Sequence, residues 1–145
     1  MKNAIVKPGS VASFFLAVML AAGCRGGDVP LTVAVRGIIV VENEDSAALA
    51  GHQIEFVSVK DSAVRAFAEI QPGGHFALST MHDGHVWPGA LPGDYRVMLI
   101  LSDDDPTARK LVLQVYDRKP LDLKTTPRKA AIPTRDPLIF RLDRQ

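Results

Sequence analysis

Between residues 81 and 87 the chain reads Met81-His82-Asp83-Gly84-His85-Val86-Trp87, and two histidines around one aspartate are its clearest offer of chemistry. Imidazole nitrogens and a carboxylate suit a divalent transition metal, and loops hold such sites more often than regular elements do. A protein zinc site needs three or four side-chain ligands, and no fourth ligand stands at a recognisable spacing, since His52 and His75 fall on separate turns. The segment therefore reads as a longer solvated loop over 81–91, with no metal and no cofactor assigned. Trp87 reads as a staple holding this loop on the rim of the fold, although an exposed indole would suit stacking on a saccharide. His82, Asp83, His85 and Trp87 are thus the candidate ligand loop for a metal or polysaccharide, the second choice of function.

Other reactive patterns are weaker. Asp103-Asp104-Asp105 lacks the spaced, glycine-bearing loop that calcium sites use, and reads as a solvated turn ahead of Pro106. No serine or cysteine sits in a glycine elbow and no phosphate-binding loop is present. The expectation is that the protein is not an enzyme.

The single cysteine, Cys24, follows Leu20-Ala21-Ala22-Gly23. Upstream lie Lys2 and Lys7, then an apolar stretch from Val11 to Ala22, which is the basic, apolar, small-residue order of an export signal. That stretch is well short of the ~20 residues a membrane-spanning helix needs. Leu20 to Cys24 resembles the bacterial lipobox, which implies diacylglycerol on the Cys24 thiol, cleavage before it and acylation of the new amino group. Each buried methylene is worth roughly 0.8 kcal/mol, so two or three chains hold a protein firmly where one holds it marginally. The resulting expectations are a signal peptide over 1–23, a flexible tether over 24–30, and one domain over 31–145, lipid-anchored at the cell envelope. With its only thiol lipidated, that domain has no disulfide and must be stabilised by its core.

Removing Lys2 and Lys7 takes the formal net charge from +1 to −1, which argues against nucleic acid as a partner. Acidic side chains dominate up to Asp105 and basic ones after it. Strands of a sandwich mix along the chain, so the two halves are expected to interleave in space and their fields largely to cancel. The sharper alternative is a basic end that meets anionic envelope polymer or lipid headgroups.

Short apolar segments with period-two alternation fill the rest of the chain. A first strand carries Val33, Val35, Gly37, Ile39 and Val41. A second carries Ile54 and Phe56. A third, Val64 to Ile70, puts Ala66, Ala68 and Ile70 on one face, and Pro72-Gly73-Gly74 turns it into His75 to Thr80 as a hairpin with Phe76 and Leu78 inward. After Leu91-Pro92-Gly93-Asp94, a central strand points Tyr95, Val97, Leu99 and Leu101 one way. Leu111, Leu113 and Val115 alternate as a sixth strand, with a helix over 108–116 as the alternative, and a proline-dotted basic stretch leads to a last strand at Leu138, Phe140 and Leu142. These elements predict an all-β fold, a seven-stranded antiparallel Greek-key β-sandwich.

In order and spacing, the segments Ala48 to Phe56, Gly73 to Thr80 and Gly89 to Val97 resemble the carboxypeptidase regulatory-like domain, a transthyretin-like (prealbumin-like) sandwich found in small bacterial lipoproteins. The likeness covers roughly Val33 to Leu101. His52 stands where the family usually has alanine. The resemblance implies a non-catalytic envelope module: related purine-pathway hydrolases use paired histidines and end in tyrosine-arginine-glycine-serine, whereas this chain ends Arg141-Leu142-Asp143-Arg144-Gln145. The expected function is a structural or interaction role at the envelope. Its partners would be the membrane, through the lipid, and an envelope protein or polysaccharide.

Overall fold

Alternation writes the first strand. In β1 (Arg36–Val41) Gly37, Ile39 and Val41 are buried while Arg36 is exposed, as a pleat with one covered face requires. The computed structural model describes residues 29–41, 46–115 and 121–142. The leader, Cys24 and the tether up to Asp28 lie outside the described residues.

Among the described residues, nine strands form two sheets, of six and three strands, with a single short α-helix. The larger sheet runs β6 (His85–Pro88), β5 (Ser79–His82), β3 (Arg65–Glu69), β2 (Gln53–Ser58), β7 (Gly93–Ile100), β8 (Lys129–Ile132). The smaller runs β4 (His75–Ala77), β1, β9 (Leu138–Leu142). The fold is therefore all-β in two sheets, with more strands than the seven expected. It is also not wholly antiparallel, because β9 pairs with β1 in parallel from Gly37↔Leu138 to Val41↔Leu142.

One apolar core lies between the sheets. Ile39, Val41, Phe76, Phe140 and Leu142 from the smaller sheet meet Ile54, Phe56, Ala66, Tyr95, Val97 and Leu99 from the larger. Phe56 is its hub, with ring centroids 6.1 Å from Phe76, 6.2 Å from Tyr95 and 5.9 Å from Phe140, the last two edge-on as aromatic quadrupoles prefer. Gly37 makes this packing possible. A Cβ there would collide with the Phe76 ring and the Leu138 carbonyl, so a glycine at this position of the first strand is a space requirement across the sheet.

Three sequence expectations change. The segment after Pro72-Gly73-Gly74 does not form one hairpin with β3. Residues 75–77 join β1 in the smaller sheet, whereas 79–82 pair with β3 in the larger. The chain changes sheets at Leu78, whose N–H donates to Val35 (3.0 Å) and whose carbonyl accepts from Gly89 (2.7 Å). Second, of the two readings of 108–116 the helix holds, since α1 (Pro106–Val115) stands in place of a sixth strand. Pro106 presets the helical φ at its first position, the Arg109 N–H donates to Asp105, and Val112 is buried against the core. Third, the stretch over 120–137 contains β8, which pairs with Gly93–Arg96 of β7.

Candidate functional site

The 81–91 loop of the sequence reading is mostly β-structure. Asp83 and Gly84 both have positive φ, 49° and 76°, and sit alone between β5 and β6. That is the two-residue turn whose twist matches paired strands, and Asp-Gly is its characteristic dipeptide. The signal was present in the sequence. The register then runs Ser79↔Pro88, Thr80↔Trp87, Met81↔Val86 and His82↔His85.

This register sorts the candidate residues by face. Thr80 is buried, and its hydroxyl donates to the Gly89 carbonyl at 2.9 Å, so Trp87 opposite it is half-buried on the core side. By alternation His82 and His85 share that side, directly across from one another at the tip. Asp83 stays in the turn, where its carboxylate lies 3.5 Å from His82 Nε2. Among the described residues, no three His, Cys, Asp or Glu side chains converge as metal ligands. Two facing imidazoles and a flanking indole are what the hairpin offers a ligand. Its other face carries Met81 and Val86, 60% and 57% exposed.

The base of the hairpin is tied to the start of the domain. The Thr32 hydroxyl donates to the Pro88 carbonyl (2.8 Å), and Val33 and Ala90 exchange backbone bonds of 2.8 and 2.9 Å. Gly89, at φ 95°, allows this approach, since a Cβ would strike the Val33 carbonyl. Leu31, one residue earlier, is 86% exposed.

Two further features escaped the sequence reading. His52, placed there on a turn, is 2% exposed. Its Nδ1 accepts the Ser102 N–H at 3.1 Å, which leaves the remaining proton on Nε2, an atom with no hydrogen-bond partner among the described residues. Burial holds the imidazole pKa below its ordinary 6.5; the Asp105 carboxylate opposes that shift and the Arg109 guanidinium adds to it. Arg109 also pairs with Asp103 and donates to the Leu101 carbonyl (3.2 Å), while the Ser102 hydroxyl bonds Asp104 (3.0 Å). The aspartate run is therefore a turn fastened to α1. The second feature is an open cleft of about 400 Å³ on β7 and β8, lined by Val59, Asp94, Tyr95, Arg96 and Lys129. Arg96 is engaged with the Leu123 carbonyl (3.2 Å), and burial raises the pKa of Tyr95, whose hydroxyl donates to Leu91 (2.7 Å).

Compared with family models, with curated proteins and with solved structures, the chain matches none.

Proposed function

We propose that this is a lipid-anchored cell-envelope protein whose two-sheet domain serves a structural or interaction role without catalysis. The observation that carries the proposal is the Leu20-Ala21-Ala22-Gly23-Cys24 segment, holding the only cysteine behind a basic and apolar leader. Support comes from the domain's self-sufficient core and from its start, where Val29 and Leu31 are exposed before Thr32 and Val33 fasten to the hairpin base. The finer fold reading is a transthyretin-like Greek-key arrangement of the carboxypeptidase regulatory-like kind. Phe76, Leu78, Tyr95 and Val97, from the segments that carry that likeness, all face the core. The non-catalytic reading rests on the sequence, in which no serine or cysteine sits in a glycine elbow and no phosphate-binding loop is present.

Replacing the thiol tests the anchor. Cys24→Ser abolishes incorporation of labelled fatty acid and moves the protein from the membrane to the soluble fraction; a variant that stays membrane-bound overturns the reading.

A second reading, a binding module for a metal or polysaccharide, is favoured by one observation, the sharing of a hairpin face by His82, His85 and Trp87. Zinc and calcium thermal-shift titrations and oligosaccharide quenching of Trp87 fluorescence test it. Stabilisation or saturable quenching that is lost in His85→Ala supports it.

A further inference from the structure

We infer that the outward face of the β5–β6 hairpin, Met81 and Val86 together with Leu31, contacts the bilayer surface beneath the domain. The inference rests on the lipid-anchor reading and adds to it an orientation and an occupant for the exposed Met81–Val86 face.

The argument begins where the tether meets the fold. Thr32 is bonded to Pro88 at the end of β6, and Val33 to Ala90 just beyond, so the chain enters the domain beside this hairpin. Cys24 to Leu31 are the eight residues ahead of Thr32, and they span at most about 29 Å when fully extended. Acyl chains on Cys24 therefore keep the entry point, and whatever adjoins it, within about 29 Å of the lipid headgroups. Val86 lies two strand residues from Pro88, about 7 Å along β6. Met81 is directly opposite it, with Leu31 one residue before the anchoring hydroxyl.

The chemistry of this corner suits lipid. Leu31, Met81 and Val86 are among the most exposed large apolar side chains of the domain. Neither 29–35 nor 79–91 contains a lysine, arginine or glutamate, and Asp83 at the turn is their only aspartate. Three side chains are too few to hold a free domain on a membrane. A short tether makes their contact effectively intramolecular, at an effective concentration in the millimolar range, and so makes a weak apolar contact count. The anchor supplies residence and the hairpin supplies orientation.

The test uses the lipidated protein reconstituted in vesicles of phosphatidylethanolamine and phosphatidylglycerol. Trp87 is the only tryptophan, so the reporter can be moved. Val86→Trp combined with Trp87→Phe places it on the outward hairpin face. Ile139→Trp combined with Trp87→Phe places it on an exposed position of β9 in the other sheet. With brominated acyl chains in the vesicles, emission from the position-86 reporter falls at least twofold, unchanged by added salt, while emission from position 139 is unaffected. Equal quenching at the two positions, or none at 86, in a protein shown by mass spectrometry to be lipidated overturns the contact and leaves the anchor standing. An unmodified thiol overturns both. Shielding of position 86 that grows with protein-to-lipid ratio without bromine quenching assigns the patch to a second copy of the chain, and also overturns the lipid contact.

Discussion

His52 is the residue whose environment most restricts its protonation. A proton added to the buried ring must go to Nδ1, which already accepts from Ser102, and it creates a charge beside the Arg109 guanidinium. The folded state therefore favours the neutral ring, whereas an unfolded chain binds the proton near 6.5. Stability from this residue is complete above pH 6.5 and is lost as pH falls towards the lower folded value. His52→Gln, which can still accept the Ser102 bond but does not titrate, is expected to flatten the acid side of a melting-temperature profile between pH 8 and 5; profiles that fall in parallel would refute the assignment. At Gly37 the constraint is space. Gly37→Val forces the Phe76 ring off the Phe56 and Phe140 rings, and overpacking of this kind costs about 1–3 kcal/mol. Denaturant titration of the two proteins reads it directly.

At the scale of elements, the β5–β6 hairpin depends on its turn. A non-glycine residue at φ 76° carries a left-handed penalty of roughly 1–2 kcal/mol, so Gly84→Val is expected to lower amide protection across 79–88. Protection in β2 and β7 remains, because each pairs with a neighbour on both sides and β3 separates them from the hairpin. Helix α1 depends on its approach. Asp103 pairs with Arg109, the Asp105 carbonyl accepts the Arg109 N–H, and Ser102 reaches His52, so the turn fixes where the helix begins against the core.

For the whole molecule, two sheets of unequal size share one core, and Phe56 joins them. Phe56→Ala removes contacts with three rings from both sheets, and a cost of about 3–5 kcal/mol is a large part of the ~5–15 kcal/mol that stabilises a domain. Equilibrium unfolding is expected to shift as one cooperative transition for probes in either sheet. The C-terminal basic segment does interleave with the earlier acidic one: β8 lies beside β7 and β9 beside β1. No helix among the described residues is long and apolar enough to cross a membrane.

By itself the sequence determined which side chains face inward, because alternation is a local consequence of the pleat: Val35, Ile39, Ile54, Phe56, Ala66, Phe76, Tyr95, Val97 and Phe140 were readable one strand at a time. Tertiary structure decided which strand each one pairs with. The switch of sheets at Leu78, the parallel β1–β9 pair and the burial of His52 depend on contacts between segments far apart in the chain, and no local period encodes these. The same holds for α1, where an alternating Leu111-Leu113-Val115 pattern yields to Pro106, good helix formers and a core position for Val112. The hairpin stands between the two cases. Its Asp83-Gly84 turn was legible in the sequence, but its place beside the tether exists only once Thr32 meets Pro88.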